Sequence, residues 1–452
     1  MIRYQTLTQA NVYLRKLQVG VLEKKTAESY SFQYSTEYLR TKTPIPIACA
    51  FPLKPEAYVF RELHPFFDNL ILEGWLLSRA EQIFHIDKKN RFALLMAVGS
   101  SPIGAVSVQA LNPNGEEYSN NELHETIESF PTRLEKIEFP NKGGFCPSCL
   151  NKSPSKQIFH FRCATALWGT SRKLKIELDA ERPLETFSRT IYGGSISGAQ
   201  RKGLFSLDQS RAKMHADPSQ SEYILKPEGE HPELPANEHL TMAIAQELGF
   251  RVPPFALIKI QSLGYVYVIR RFDRLSGVYR KMEDMAQITG ASSLDKYESS
   301  NEKIANAIRR YASAPMLDLY DFFRRLLFCF FIGNADMHLK NWSLLEKESL
   351  NGELDLSPCY DLLNTRLPIP REQIDIGLPI CGKSRNLQMS YFKKFATNIL
   401  RMEQIQIKTI FSELKNWMQV THDFTMRSYL TPDSQKKYLK IVAERMNILK
   451  NP

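Results

Sequence analysis

Hydrophobic and polar residues alternate along much of the first hundred residues. The segments "NVYLRKLQVGVL" (11–22) and "YSFQYS" (30–35) have a period of two, which is typical of β-strands. The segment "FDNLILEGWLLSRAEQIF" (67–84) has helical spacing instead, and "GAVSVQAL" (104–111) returns to the strand pattern. We therefore predict a small mixed α/β domain over residues 1–112.

A polar segment follows this domain, and alternating and helical patterns resume beyond it. Residues 113–145 are polar, with Asn, Pro and Gly near both ends, and predict an interdomain linker. Three later segments predict strands: "EYILKP" (222–227), "FALIKI" (255–260) and "YVYVIRRFDR" (265–274). The whole chain is therefore expected to have an α+β fold.

Helical spacing dominates the later part of the chain. "ANEHLTMAIAQELGF" (236–250) predicts a helix because Leu240, Ala243, Ile244 and Leu248 share one face. A helix-rich region is expected from about 316 to 333 and again beyond about 387. The second half should therefore end in a mainly helical region.

Composition adds little to this picture. The 452 residues carry a net charge of +10, which permits an anionic partner but is also typical of a solvated surface. The most apolar stretch, "FFRRLLFCFFI" (322–332), is interrupted by two arginines and is shorter than the roughly 18 residues of a membrane span. The amino terminus has no signal-peptide pattern, and seven scattered cysteines do not suggest a disulfide framework. These features predict a cytoplasmic protein.

Four metal-binding side chains lie close together in the sequence between residues 146 and 190. Cys146, Cys149, His160 and Cys163 have the spacing C-x2-C-x10-H-x2-C, similar to that of small knuckles that bind tetrahedral Zn²⁺. The sequence is equally compatible with a metal-free loop in which the cysteines are simply buried. A structural zinc ion is one of two open interpretations.

An unusually polar stretch, "GNADMHLKN" (333–341), follows the apolar run "LLFCFFI". Asn351-Gly352 suits a tight hairpin turn, and folding back there would bring Asn341 near Asp361. Two oxygen-bearing side chains at one point are ligands that Mg²⁺ prefers. Asp336, on the preceding loop, would be free to orient a hydroxyl group and accept its proton.

Other candidate residues lie upstream of this stretch. Lys226 on a predicted strand would contribute positive charge to nucleotide phosphates, and Glu238 on the next helix would hold that lysine. The loop "YGGSISGAQRKGLFSL" (192–207) offers backbone N–H groups to phosphate oxygens. Each feature alone is common, but their order along the chain is that of a protein-kinase-like site.

The motifs "SISGAQRK", "ILKP", "RRFDR", "GNADMHLKN" and "SPCYDLL" resemble those of the HipA family of bacterial toxin kinases. "FFDNLILEGW" and "GSSPIGAVSV" resemble the amino-terminal subdomain of that family. The resemblance implies a two-lobed protein-kinase-like fold. Beyond the small subdomain at 1–112, the linker at 113–145 and the knuckle-like segment at 146–190, it implies an N-lobe at 191–290 and a helical C-lobe at 291–452.

The resemblance also implies a serine/threonine kinase that uses ATP and Mg²⁺. Asp336 would be the catalytic base, Asn341 and Asp361 would bind Mg²⁺, Glu238 would form the structural ion pair, and Ser195 and Ser197 would be autophosphorylated. The residues expected at ATP are Ser197, Gly198, Ala199, Gln200, Arg201, Lys202, Lys226, Arg270, Arg271, Phe272, His338, Lys340, Asn341, Tyr360 and Asp361. Arg270 stands where family members commonly have Glu. The change is harmless if base recognition there uses main-chain atoms, whereas a side-chain contact to adenine would be lost.

The partners implied by the resemblance are a HipB-like helix-turn-helix antitoxin, operator DNA bound through that antitoxin, and an aminoacyl-tRNA synthetase as substrate. Two alternatives remain open. "DMHLKN" also occurs in small-molecule phosphotransferases of the antibiotic and choline type, and a catalytically idle corepressor would retain the fold without activity. The amino-terminal domain would either widen the binding platform or inhibit the kinase in cis through Trp75.

Overall fold

The amino-terminal domain of the computed structural model is an antiparallel five-stranded sheet covered by short helices. The structure describes residues 4–118, 131–154, 157–170, 172–189, 200–217, 219–229, 231–275, 277–369 and 373–450. The sheet order is β4-β3-β2-β1-β5. The strands are β1 Gln9–Leu14, β2 Leu17–Thr26, β3 Ser29–Tyr34, β4 Tyr58–Phe60 and β5 Val106–Ala110. A 3-10 turn at Tyr4–Thr6 and the helices α1 Thr36–Leu39, α2 Pro65–Asp68, α3 Gly74–Phe84 and α4 Arg91–Val98 complete the domain.

The predicted strands of this domain are confirmed, but its predicted long helix is divided. Residues 69–73 separate α2 from α3, and Gly74 begins α3 with a φ of +56°. This left-handed conformation is easily adopted only by glycine, and it turns the chain between the two helices. The intervening residues include Asn69 and Glu73, whose side chains are directed into the rest of the molecule.

A closed seven-stranded barrel forms the next unit, in the order β10-β12-β11-β6-β7-β9-β8. Its strands are β6 Thr132–Glu138, β7 Lys175–Asp179, β8 Gly203–Asp208, β9 Lys213–Ala216, β10 Tyr223–Pro227, β11 Phe255–Ile260 and β12 Gly264–Arg270. Its helices are α5 Phe161–Trp168, α6 Glu185–Ser188 and α7 Leu234–Glu247. All pairs are antiparallel except β7 with β9. The strands predicted at 222–227, 255–260 and 265–274 therefore share one sheet, although the last ends at Arg270.

The barrel corrects two predicted boundaries. Strand β6 lies inside the segment predicted as a linker (113–145), and the sheet begins well before residue 191. The reason is that β6 has little apolar alternation: Leu134 is exposed, whereas the Glu135 carboxylate faces inward and accepts a hydrogen bond from the Ser262 backbone N–H (3.1 Å). A polar strand of this kind resembles a linker in sequence.

Helices make up most of the C-lobe. They are α8 Met285–Thr289, α9 Asn301–Tyr311, α10 Pro315–Ile332, α11 Met389–Lys394, α12 Gln404–Arg427 and α13 Pro432–Lys450. Short elements fill the gaps: β13 Arg274–Leu275, β14 Val278–Tyr279, β15 Met282–Asp284, β16 Ser343–Glu346, β17 Leu354–Leu356, a 3-10 turn at Leu339–Asn341 and a π-helix at Phe395–Ile399. The helix-rich regions predicted near 316–333 and beyond 387 are confirmed. No helix in the described residues is both long and apolar enough to cross a membrane.

The hairpin predicted around Asn351-Gly352 forms, but its loop is wider than a two-residue turn. β16 pairs with β17 through Leu344 opposite Leu356, so residues 347–353 form the loop. The buried Glu346 carboxylate accepts a hydrogen bond from the Gly352 N–H (3.0 Å), and Leu350 and Gly352 both have positive φ. The hairpin nevertheless returns the chain to the end of the small sheet at which β16 begins. The predicted approach of Asp361 to Asn341 requires this return.

The amino-terminal domain is joined to the barrel by a buried ion network. Asp273 accepts hydrogen bonds from Arg271 (2.6 Å), Arg274 (3.0 Å) and the backbone N–H of Gly104 (2.8 Å). Arg274 also donates to the carbonyl of Pro102 (2.8 Å). These contacts are strong because they are charge-assisted and excluded from water. They hold the amino-terminal domain against the strands that form the site.

Candidate active site

The polar stretch after α10 satisfies its own backbone. Gly333 ends α10 in the left-handed conformation (φ +75°), and the chain then turns sharply. The Asn334 side chain accepts a hydrogen bond from the Asp336 N–H (3.0 Å), and the Thr365 hydroxyl accepts one from the Ala335 N–H (2.9 Å). The density of polar residues here is therefore explained in part by a loop that lies against a packed core.

Asp336 lies at the centre of this loop. Its backbone carbonyl accepts a hydrogen bond from the Asn341 side-chain amide (2.8 Å), and its carboxylate accepts one from the Tyr297 hydroxyl. Burial raises the pKa of Asp336, and the Tyr297 hydrogen bond partly opposes that rise. A carboxylate with a raised pKa is suited to accepting a proton near neutral pH.

The β16–β17 hairpin brings Asp361 back toward the loop that contains Asp336 and Asn341. The hydroxyl of Tyr360 donates a hydrogen bond to the Lys340 carbonyl (3.0 Å), which joins the residues next to Asp361 and Asn341. The Asn334 amide lies 3.4 Å from the Asp361 carbonyl. Asp361 is one of the few non-glycine residues with positive φ (+54°), a conformation that is retained only where surrounding contacts enforce it.

Lys226 connects the two lobes at this point. Its ammonium group lies 2.7 Å from the Glu238 carboxylate and 2.5 Å from the Asp361 carboxylate. Lys226 is on β10, Glu238 is on α7, and both side chains are buried. Burial lowers the pKa of Lys226, but the two carboxylates outweigh it and keep the group charged. The same lysine lowers the pKa of Asp361 to about 2, although burial acts in the opposite direction.

Two further residues of the predicted phosphate loop are near this cluster. Lys202 is buried just before β8, where desolvation lowers its pKa to about 8 although Asp361 is close enough to raise it. The Arg201 guanidinium lies 5.9 Å from the centre of the Trp75 ring of the amino-terminal domain. Ser195, Ser197, Gly198 and Ala199 lie outside the described residues.

The donor set fits Mg²⁺ and a polyphosphate. The Asn341 amide nitrogen is used by the Asp336 carbonyl, which leaves the Asn341 side-chain oxygen for a cation. Two buried atoms, Nε2 of Gln200 and Nδ1 of His338, have no hydrogen-bond partner within the described residues. Unpaired buried polar atoms are costly unless a ligand satisfies them.

The predicted hinge residues have different environments. The Phe272 ring lies 5.7 Å from that of Tyr360, which places an aromatic side chain beside the site. Arg270 donates a hydrogen bond to the Ala166 carbonyl (2.9 Å). The Arg271 guanidinium is engaged by the Asp273 carboxylate (2.6 Å) and by the Ser221 hydroxyl (2.8 Å), and the expected position of this stretch beside adenine stays a prediction.

The expected position of Lys340 in the nucleotide site needs correction. Its ammonium group is fully buried against the amino-terminal domain, 2.7 Å from the Glu73 carboxylate and 3.0 Å from the Asn69 side-chain oxygen. It is therefore engaged by protein groups and does not line an open nucleotide site. His338 remains close to the expected site, and burial lowers its pKa to about 3, so the imidazole is neutral at physiological pH.

Sequence reasoning missed Tyr297 and Glu73. Glu73 lies in the segment "FFDNLILEGW", but nothing in its spacing indicates a contact with a lysine more than 260 residues away. Tyr297 lies in a polar loop without periodicity. Their roles depend on tertiary contacts alone.

The four zinc-ligand candidates are also brought together. One ligand atom from each of Cys146, Cys149, His160 and Cys163 lies within 4.8 Å of the others. This cluster is the one group of His, Cys, Asp and Glu side chains with such a geometry among the described residues.

Comparisons with known proteins agree with this architecture. A model of the HipA-like C-terminal domain matches residues 194–421, and a model of the HipA N-terminal domain matches residues 10–109. A Haemophilus influenzae protein with a provisional kinase name is 29% identical over 288 residues, or 57% of this chain and 82% of that protein. The serine/threonine-protein kinase toxin HipA of Shewanella oneidensis is 24% identical over 384 residues, or 80% of this chain and 76% of that protein.

A solved structure supports the fold. The complex of Shewanella oneidensis HipA with HipB and operator DNA aligns with a TM-score of 0.68 and 20% identity, covering 98% of this chain and 100% of that chain. The two-lobed fold with an added amino-terminal domain is therefore shared. Because the carboxy-terminal family model matches half of the chain and the amino-terminal model matches most of the first domain, this chain belongs to the HipA family of kinases.

Proposed function

We propose that this chain is the kinase toxin of a toxin-antitoxin system and transfers the γ-phosphate of ATP to serine or threonine of a protein. The observation that carries the proposal is the contact of Lys226 with both Glu238 (2.7 Å) and Asp361 (2.5 Å), close to Asp336. This arrangement joins a phosphate-binding lysine, its orienting glutamate and a metal-binding aspartate in one group. An idle binding module has no need to hold a buried lysine between two carboxyl groups.

The chemistry follows from the environment of each group. Asp336 orients the substrate hydroxyl group and accepts its proton as the phosphate is transferred, and its raised pKa suits that role. Asn341 and Asp361 would bind Mg²⁺, which neutralises phosphate charge when bound. Lys226 and Lys202 place positive charge at the phosphates, and burial strengthens these interactions by excluding water.

The regulatory and cellular features complete the proposal. Ser195 and Ser197 are the autophosphorylation sites, a HipB-like antitoxin is the partner, and operator DNA is bound through that antitoxin. The substrate is an aminoacyl-tRNA synthetase in the cytoplasm, and its phosphorylation stops translation. The proposed domains are the amino-terminal domain at 1–112, an N-lobe that contains the barrel from β6 onward together with the knuckle segment at 146–190, and the C-lobe at 291–452.

The test is self-labelling of the purified full chain with radiolabelled ATP and Mg²⁺, followed by mass spectrometry of the labelled peptide. Wild type should label itself on Ser195 or Ser197 and should stop growth when it is expressed. Asp336→Ala should lose both effects, whereas Asp433→Ala, at the exposed start of α13, should retain them.

Two results would overturn the proposal. One is equal toxicity, or none, in wild type and Asp336→Ala. The other is phosphorylation of an aminoglycoside or choline without self-labelling, which would identify a small-molecule kinase.

A further inference from the structure

Cys146, Cys149, His160 and Cys163 form a compact cluster beside the barrel. The Cys149 sulfur lies 3.3 Å and the Cys163 sulfur 3.9 Å from Nδ1 of His160. A tetrahedral zinc ion with bonds of about 2.0 to 2.3 Å places its ligand atoms about 3.5 to 3.8 Å apart. The observed separations match that spacing for a site of three thiolates and one imidazole.

The orientation of His160 is the second indication of a metal. Its Nε2–H donates a hydrogen bond to the Lys152 carbonyl (3.0 Å), so the lone pair is on Nδ1. Nδ1 is the atom that faces the three sulfurs. A metal-binding histidine usually fixes its second nitrogen through a hydrogen bond of this type.

The backbone around the first two cysteines has the form of a knuckle. Phe145 and Lys152 form an antiparallel bridge, the Cys146 N–H donates to the Asn151 carbonyl (2.9 Å), and Leu150 has a φ of +54°. A buried leucine in the left-handed region is strained unless other contacts enforce that conformation. Metal bonds to Cys146 and Cys149 would supply such a constraint.

We infer that Cys146, Cys149, His160 and Cys163 bind one structural Zn²⁺ ion that holds the knuckle against helix α7. All four ligand positions are taken by protein, so the ion has no open position for catalysis. The three cysteines are free thiols, as zinc binding requires.

The knuckle contacts the helix that carries Glu238. His239, fully buried on α7, donates a hydrogen bond from Nε2 to the carbonyl of Ser148, which lies between the two knuckle cysteines (3.0 Å). The Asn151 side chain donates to the Glu247 carboxylate near the end of α7 (2.8 Å). The knuckle therefore braces both the middle and the end of α7. Zinc would thereby position Glu238, and through it Lys226, without touching the substrate.

Metal analysis tests the site directly. The full chain, purified without chelators, should contain about one zinc per chain. Cys149→Ser should lose that zinc, whereas Cys381→Ser, in a half-buried cysteine outside the cluster, should keep it. Reconstitution of wild type with Co²⁺ gives a second readout that needs no variant, because tetrahedral thiolate–cobalt sites absorb strongly in the visible range.

Two outcomes overturn the site: a wild-type chain that holds no zinc and takes up no Co²⁺, or a Cys146–Cys149 disulfide in the protein purified under reducing conditions.

Hydrogen exchange then tests whether the zinc site stabilises α7. Chelation should speed amide exchange in residues 234–247 and leave β1–β3 unchanged. Unchanged exchange in α7 after complete zinc loss would overturn the positioning role. Neither measurement depends on kinase activity.

Discussion

At the scale of single residues, the hydrogen bond from Tyr297 to Asp336 connects an exposed side chain to the proposed base. Tyr297 is 43% exposed, and its ring is nearly perpendicular to that of His338, with the ring centres 4.9 Å apart. The hydrogen bond stabilises the ionised form of Asp336, whereas burial favours the neutral form. Tyr297 thus sets how much of the base is ionised at a given pH.

Tyr297→Phe should therefore move the acid limb of the pH–rate profile to higher pH. Removing the hydroxyl removes a contribution that lowers the pKa of Asp336, so a smaller fraction of the base is ionised on the acid side. We expect the limb to move to higher pH and the rate above the shifted limb to change little. The measurement is the self-labelling rate between pH 5 and pH 9.

The matched control is Tyr391→Phe, which removes a hydroxyl from a tyrosine on α11. Its profile should follow that of wild type. If Tyr297→Phe lowers the rate equally at all pH values, Tyr297 acts on loop position and not on the proton affinity of Asp336.

The candidate residues differ in how far sequence could identify them. Glu238 was expected to hold Lys226 because the two residues lie on a recognisable strand and on the helix after it, and that contact is observed. The contact of Lys226 with Asp361 was not predicted. Lys340 belongs to the same motif but faces Glu73, because the amino-terminal domain buries that side of the loop. Motif order predicts which residues approach one another, whereas the partner of each side chain depends on surfaces from distant segments.

At the scale of elements, strands and helices rich in apolar residues were predicted well, and polar elements were not. β10, β11 and α7 are buried at almost every position, and their apolar residues mark them in the sequence. β6 closes the barrel with a buried glutamate in place of an apolar residue, so its pattern is that of a linker. The hairpin of β16 and β17 was predicted in pairing but not in loop length, because the side chain of Glu346 supports a seven-residue loop.

The segment at 373–380 has no regular structure and supports residues 333–341, the loop that carries the proposed base Asp336 and is called the catalytic loop below. Gly377 is buried against the backbone of Met337, between Asp336 and His338. A Cβ atom at Gly377 would lie 2.8 Å from the Met337 backbone N and C atoms. That separation is shorter than van der Waals contact allows, so the loop would have to move.

Gly377→Ala should accordingly reduce both activity and stability. A displacement of the loop approaching 1 Å misplaces Asp336 and is expected to lower the self-labelling rate about 10- to 100-fold. Overpacking of this type costs about 1 to 3 kcal/mol in the free energy of unfolding. The rate and urea denaturation are measured on the same preparation.

Gly229→Ala is the matched control, because a Cβ atom there meets nothing within 4 Å. This variant should have the rate and stability of wild type. Equal rates for the two alanine variants would show that the catalytic loop accommodates the methyl group and that its position is not controlled by Gly377.

At the scale of the whole molecule, the amino-terminal domain forms part of the surroundings of the site. Glu73 lies 2.7 Å from Lys340 and 3.0 Å from Lys296, and the Asp68 carboxylate accepts a hydrogen bond from the Ser293 N–H (3.0 Å). These contacts join the turn after α2 to the loop after α8 and to the catalytic loop. The domain is thus fixed by charge pairs at the site as well as by the Asp273 network.

Glu73→Gln measures how much the contacts of Glu73 with Lys340 and Lys296 contribute to the free energy of unfolding. This contribution depends on pH. Burial would raise the pKa of Glu73, but Lys340 and Lys296 outweigh it and lower the pKa to about 2. The ionised carboxylate therefore stabilises the folded state fully above a pH of about 4.5, and the contribution is lost as the pH falls toward about 2. We expect the substitution to lower the free energy of unfolding by about 3 kcal/mol at pH 7.

Because the wild-type carboxylate becomes protonated in acid, the difference between Glu73→Gln and wild type should shrink to less than about half by pH 3. Urea denaturation at pH 7 and pH 3 measures both values, and Glu28→Gln, at an exposed turn of the same domain, should cost nothing at either pH. A cost that is equal at pH 7 and pH 3 would mean that Glu73 contributes by packing and hydrogen-bond geometry. In that case the charge of Lys340 would not hold the amino-terminal domain in place.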